Sequence, residues 1–400
     1  KYDLEDPDVT VYSVGADRNG IIKVFSSAGL LTPHSGKFLY PGSLVPDVSY
    51  RPMADKNIRA LVIHDDQFVY LDDSAVLSNA WAGRLYARHQ MPGGKLFAMG
   101  ANLSSVISDG KTLQGLSESG VQWESSIAGD EITDLIFDRQ RDLYWLLSAG
   151  AIYTCAGDDG VINKILDVNG LTCFTLADNE NRLLVGTKDG YFELDPDSGS
   201  RVGDQVRKMP WTELTAIVEI DGKLWFGSKR GAFTLRDDGQ FNYYASKRWL
   251  PDDYVVDIAA GPEDAVLVLT SSGLAQIKFA EMTLYDKAMF FQRQVRERHI
   301  RHGFNAMLVG MEDGNLSTGY MPDNDNDGLW TSMYLAGEVF RYAVTQSEDA
   351  LQNIRESLDA MERLFTINPV PGFPSRSFLR RGYKYDHDAW QRAEDPEWDW

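Results

Sequence analysis

Through the first three quarters of the chain, apolar residues come in strand-length runs separated by turns of Asp, Asn and Gly; beyond Lys278 they recur at a period of about 3.6. Four of the runs align: Glu131-Ile-Thr-Asp-Leu-Ile-Phe-Asp, Leu171-Thr-Cys-Phe-Thr-Leu-Ala-Asp, Glu213-Leu-Thr-Ala-Ile-Val-Glu-Ile-Asp and Asp253-Tyr-Val-Val-Asp-Ile-Ala-Ala. Their starts lie about 40–42 residues apart, which marks an internal repeat. Each is followed by a second apolar run that turns at a glycine, namely Gly150, Gly190, Gly231 or Gly273, then by a third strand and a more polar fourth. Near-continuous apolar strands are expected where both faces are buried, and four strands per ~41 residues describe a propeller blade. The rhythm continues upstream through Val9–Leu31, Ile58–Leu71 and Leu96–Glu124, broken by a proline-containing insertion between Thr32 and Asn57. The expected fold is therefore mainly β, an about seven-bladed β-propeller over residues 5–285, with a short α-helical module over 286–400.

The second-strand pattern Leu-Trp-Phe-Gly-Ser-x-x-Gly at Leu224–Gly231, with its variant at Leu184–Gly190, resembles the two-component-regulator propeller repeat family. The resemblance implies a propeller of an extracellular or periplasmic, often glycan-associated type. It implies fold and compartment more than activity, because one fold hosts many functions.

In the helical region the spacing predicts a basic helix over Lys287–Arg301, a second over Leu329–Val344 and a third over Glu348–Phe365, the last with Leu351, Ile354, Leu358, Met361 and Phe365 on one face. Ser347 is the expected N-cap of the third. Two helices joined by Thr345-Gln346-Ser347 form a hairpin of the kind from which α/α toroids are built. The segment Asp323–Tyr334, with Gly372-Phe-Pro-Ser-Arg-Ser377, resembles the opening helices of toroidal carbohydrate-active enzymes. A full toroid needs more chain, and an ending on Glu397-Trp-Asp-Trp400 is expected inside a longer domain, so a further domain or chain completing the module is anticipated.

A formal charge of −20 opposes a nucleic-acid partner, since phosphate binding draws on clustered Lys and Arg. No run reaches the ~18–20 apolar residues of a membrane span. Cys155 and Cys173 are expected as two buried thiols rather than a disulfide. Acidity, few cysteines and the sensor-type repeat together suggest a secreted or periplasmic protein, and the absence of an initiator Met at Lys1 is compatible with a removed export signal.

Candidate chemistry concentrates after residue 320. Asp323, Asp325 and Asp327, ahead of Gly328, have the alternation that opens a Ca2+ loop, although Tyr334 stands where a bidentate Glu is required. Alternatively, Asp325 or Asp327 acts as general acid or base of a polysaccharide hydrolase. In a lyase, Arg376 neutralises a uronate while Tyr383 or His387 moves the proton. Arg380 and Arg381 would add charge for the substrate, and Trp390 and Trp398 flat faces for sugar rings. The competing expectations are a turn with solvated acids and a loop whose arginines balance nearby carboxylates. As a whole the sequence suggests a protein acting on a polysaccharide or oligosaccharide, the alternative being a non-catalytic propeller that binds a glycan or a protein.

Overall fold

A computed structural model of the chain describes residues 1–35, 42–48, 56–312, 314–381 and 397–400. Two compact units are present, one including Tyr40–Phe279 and the other Ala280–Trp400. The first is a β-propeller. Among the described residues five four-stranded sheets stand alone, fewer than the about seven blades expected, and eight further strands of the propeller are fused into one continuous sheet. That sheet runs from Val11–Ala16 through Ile22–Ser26, Gly29–His34 and Gly42–Pro46, crosses Tyr2–Asp3, and continues into Gly273–Ile277, Val266–Thr270 and Val255–Ala260. Tyr2–Asp3 performs the fusion by pairing antiparallel with Gly273–Ile277 (Tyr2 opposite Leu274) and parallel with Gly42–Pro46 (Tyr2 opposite Gly42). Gly273, at φ +149°, is the point of closest approach: a Cβ there would lie 2.3 Å from the Tyr2 carbonyl oxygen. Only glycine fits such a contact without displacing backbone.

The first strand of each repeat is the inner one. The inner strands Val11–Ala16, Ala60–His64, Leu96–Met99, Ile132–Asp138, Leu171–Ala177, Leu214–Ile220 and Val255–Ala260 touch in that order, and the last returns to the first. The hydrophobic core is correspondingly a ring of clusters, each shared by neighbouring sheets. Trp145 and Ile152 pack with Leu183 and Phe192, Leu184 with Leu214 and Phe226, Trp225 and Tyr244 with Val255 and Val268, and Val11 and Val24 with Leu267 and Leu269 across the fused sheet. Burying an aromatic or branched side chain of this kind contributes about 1.5–3 kcal/mol each. A single blade could not do this alone, which is why the repeats are apolar on both faces.

The small hydroxyl residue before each hairpin turn has a consistent role. Ser148, Thr187, Ser228 and Thr270 donate to the carbonyls of Ala151, Gly190, Gly231 and Gly273 at 3.2, 2.9, 2.7 and 2.9 Å. All four side chains are buried, so each latch satisfies a carbonyl that water does not reach. This is the physical content of the Gly-Ser-x-x-Gly pattern. Ser228→Ala should therefore lower stability by about 1–2 kcal/mol, whereas Ser119→Ala, at an exposed turn, should change little. Chemical denaturation of the two variants checks the contrast.

The second unit contains α1 (Leu284–Arg298), α2 (Asp327–Thr345) and α3 (Glu348–Thr366). The predicted helix over 287–301 is shifted three residues toward the N-terminus, because Thr283 caps it by accepting from the Asp286 backbone N–H and Ile300–Arg301 enters a short strand pair with Phe304–Asn305. The α2–α3 pair packs side by side, turning at Gln346 in the left-handed region at φ +54°. Ser347 occupies the N-cap position, but its hydroxyl goes to the Asp349 carboxylate rather than to a backbone N–H. Among the described residues of this unit the α-helices form this pair and α1, and nothing in them supports the expected opening of an α/α toroid. Among the described residues no helix is long and apolar enough to cross a membrane.

Candidate functional site

Five inner strands carry an extra residue at the same place. The pairing register jumps between Val11 and Ser13, Ile132 and Asp134, Leu171 and Cys173, Leu214 and Ala216, and Val255 and Asp257. A bulge leaves the inserted residue out of the ladder and re-aims its neighbour. Here the re-aimed positions Ser13, Asp134, Cys173, Ala216 and Asp257, with the bulged Tyr12, Thr133, Thr172, Thr215 and Val256, line a cavity of about 1010 Å3 to which every inner strand contributes. The cavity is therefore axial, and its chemistry is set residue by residue on one repeated frame.

Its most polar members are two carboxylates at equivalent positions. Asp134 accepts from the Leu135 backbone N–H at 2.8 Å. Asp257 accepts from the N–H groups of Val14 and Ile258 at 2.9 and 2.8 Å. Among the described residues no Lys, Arg or His forms an ion pair with either. Arg59 and Lys95 also line the cavity, but they pair with Asp73 at 2.6 Å and Glu131 at 2.7 Å. Burial pushes the Asp134 carboxyl up to about 7, with the nearby Asp257 charge adding to the rise, and burial pushes Asp257 up to about 6. Desolvation disfavours the charged form, and a neighbouring carboxylate adds to it. Near neutral pH the pair can therefore both accept and donate hydrogen bonds. Burial also pushes the Cys173 thiol up to about 12, which leaves it protonated and unreactive; Cys155 is likewise a free, buried thiol.

The residues anticipated from sequence in the helical module lie elsewhere and only partly together. Asp327 is fully buried, its Oδ2 2.5 Å from Arg301 Nη2 and accepting also from the Ser377 hydroxyl. Asp325 is exposed and sits beside Arg376, whose guanidinium is 3.7 Å from its carboxylate and whose Nε donates to its carbonyl at 3.2 Å. Of the Asp323, Asp325 and Asp327 set read as a Ca2+ loop, Asp327 is committed to Arg301 while Asp325 faces solvent, and no three His, Cys, Asp or Glu side chains among the described residues are grouped to hold a metal. Trp398 does not offer an open face, since the guanidinium groups of Arg363 and Arg380 lie over its ring at 4.5 and 5.0 Å and Phe378 abuts it at 5.3 Å. Arg380 also reaches Glu397 at 3.3 Å, and Arg381 lies 3.8 Å from Asp399. Tyr383, His387 and Trp390 lie outside the described residues.

No known family model matches the chain, and no curated protein matches it. Solved structures do. The extracellular domain of the hybrid two-component system BT4673 from B. thetaiotaomicron matches with a TM-score of 0.52 at 15% identity, over 68% of this chain and 38% of that one. A streptogramin B lyase matches with a TM-score of 0.52 at 12% identity, over 69% and 95% of the two chains. Virginiamycin B lyase from Staphylococcus aureus, as a catalytically inactive variant with quinupristin, gives 0.51 at 12% over 69% and 98%. The likeness is one of fold alone. This chain spans about 40% of the length of the sensor extracellular domains it matches.

Asp134 and Asp257 were within the aligned repeats yet not recognisable as a site from spacing alone. Their signal is an acid inside an otherwise apolar inner strand, Ile-Thr-Asp-Leu and Val-Val-Asp-Ile, at the same position of two repeats. A carboxylate that desolvates at such a place is costly unless something is gained from it.

Proposed function

We propose that the chain is a non-catalytic ligand-binding propeller whose axial cavity takes a hydroxyl-rich ligand of the oligosaccharide class. The observation that carries this reading is the pair of unneutralised carboxylates on equivalent bulges of one cavity, beside the hydroxyl-bearing Ser13, Thr133, Thr172 and Thr215. Carboxylates and hydroxyls together accept and donate to sugar hydroxyls, while Tyr12, packed 5.1 Å from Phe25, offers an apolar ring. In this reading the eight-stranded sheet counts as two blades, which makes seven in all, and the functional domains divide as 5–285 and 286–400. A secreted or periplasmic location accords with the extracellular sensor domains that share the fold. The competing hydrolase reading offered Asp325 or Asp327 as acid or base, and the engagement of Asp327 with Arg301 and Ser377 weighs against that residue in the role.

Calorimetric titration of the full chain with neutral and acidic oligosaccharides tests the proposal. Binding should weaken about 10-fold or more in Asp134→Asn/Asp257→Asn and in Tyr12→Ala, each removal costing on the order of a lost hydrogen bond or stacking contact. Affinity unchanged in both variants would exclude the cavity, and glycan turnover by the unaltered chain would restore the enzymatic reading.

A further inference from the structure

The axial cavity of the propeller is rich in hydrogen-bond acceptors and short of donors. Asp134 and Asp257 line it and are half-buried rather than sealed, so a ligand in the cavity reaches both. Asp134 Oδ1 accepts from the Leu135 N–H, and its Oδ2 receives no donor among the described residues. Each Asp257 oxygen has one donor, from Val14 or Ile258, where a carboxylate oxygen has room for two. The bulged threonines have spent their hydrogens: Thr215 donates to the Val255 carbonyl at 2.8 Å and Thr133 to the Leu147 carbonyl at 3.2 Å, which leaves each hydroxyl oxygen as an acceptor. Charge is equally unbalanced. The cations on the cavity wall, Arg59 and Lys95, are tied to Asp73 and Glu131, and the remaining titratable groups there are Tyr12 and the neutral Cys173 thiol. Burial raises both carboxyls, and no cation offsets the rise.

A neutral sugar hydroxyl brings an acceptor with its donor and no charge. A primary ammonium brings three donors, no acceptor and a full positive charge, which answers both imbalances at once. A metal ion fits less well: Ca2+ takes about 6–8 oxygen ligands, and no three carboxylate, imidazole or thiol side chains among the described residues are grouped to hold one. The formal charge of −20 adds a long-range pull on a cation. We infer that the cavity selects oligosaccharides carrying free primary amines, amino sugars without an N-acetyl group, whose ammonium groups pair with Asp134 and Asp257. The inference rests on the ligand-binding reading of the propeller and narrows its ligand from hydroxyl-rich to amine-bearing. Pairing with an ammonium favours the ionised carboxylate, so binding at a pH of about 6 expels protons that the free cavity holds.

The test is calorimetric, on the full chain, with three β-1,4-linked probes of equal length: a glucosamine oligomer, its N-acetylated form and a cello-oligomer. They share a backbone and differ at one substituent, which is ammonium, acetamide or hydroxyl. The glucosamine oligomer should bind at least about 10-fold more tightly than either of the others, the gain of one charge-assisted contact. At a pH of about 6 its binding enthalpy should vary with the ionisation enthalpy of the buffer, as proton release requires, while that of the cello-oligomer does not. Asp134→Asn/Asp257→Asn should lower the glucosamine oligomer to the level of the cello-oligomer and abolish the proton release. Equal binding of all three probes, each weakened by Tyr12→Ala, overturns the inference and leaves the oligosaccharide reading standing, whereas no binding by any probe overturns both. A preference for the amine that persists in the double variant also overturns it, by placing the ammonium elsewhere. Saturable binding of Ca2+ alone, lost in the double variant, overturns it in favour of a metal.

Discussion

Replacing Arg301 by Met should destabilise the C-terminal unit by about 3–5 kcal/mol, the cost of leaving a buried carboxylate without its counter-ion. Arg301 is 3% and Asp327 0% exposed. The guanidinium holds Asp327 at 2.5 Å, bonds Ser377 at 2.9 Å, donates to the Pro322 carbonyl and lies 5.7 Å from the Phe304 ring centre. A single substitution thus unties the short strand pair at Ile300–Arg301, the N-terminus of α2 and the segment at Ser377. The double variant Arg301→Met/Asp327→Leu should recover much of the loss, because two apolar groups of similar size need no desolvated partner. Urea denaturation followed by circular dichroism at 222 nm, weighted toward the helices, reads both. A double variant no more stable than the single one would mean that Arg301 acts through packing rather than charge.

The propeller should lose stability as pH rises from about 4 to 8. Both Asp134 and Asp257 have folded-state pKa values raised by burial, to about 7 and about 6, above the usual carboxylate value near 4. Between the unfolded and folded values the native state holds the extra protons, so stability falls as pH climbs through this window and the loss is complete above the folded values. Water in the cavity and the coupling between the two groups reduce the effect to about 2–4 kcal/mol in total. Asp134→Asn/Asp257→Asn removes the ionisation while keeping the shape. The melting temperature of the variant should exceed that of the unaltered chain at pH 8 and match it near pH 4. A parallel displacement at every pH would show that neither carboxyl carries a raised value.

The blade rhythm between residues 131 and 280 was legible because each repeat combines three independent signals: two apolar strands, a Ser or Thr latch and a turn glycine. The three helices were legible for the same reason, their apolar period running unbroken over several turns. What the pattern does not reveal is contact at a distance. Tyr2–Asp3 is too short to carry any alternation, yet it joins both ends of the ring. Arg301 precedes Asp327 by 26 residues, so the acid that looked available in sequence is in fact neutralised. Likewise Trp398, an apparent sugar platform, is covered by Arg363 and Arg380, which only the fold brings there. The paired carboxylates were missed because a strand acid in one repeat is ordinary; only superposing the bulges shows two of them in the same cavity.

Closure by Tyr2–Asp3 also dictates the order in which the propeller can assemble. Its partner Gly273–Ile277 lies some 270 residues downstream, so the joining pair is the most non-local contact of the ring and can form only after the last inner strands exist. The entropy of enclosing so long a loop grows only logarithmically with its length, but contacts of this separation slow folding. Until the pair forms, Gly42–Pro46 and Gly273–Ile277 each present an unpaired sheet edge. Such edges recruit strands from other molecules. The interval between synthesis of Gly273–Ile277 and docking of Tyr2–Asp3 is thus when the chain is most exposed to aggregation or to exchange of that strand with a second copy.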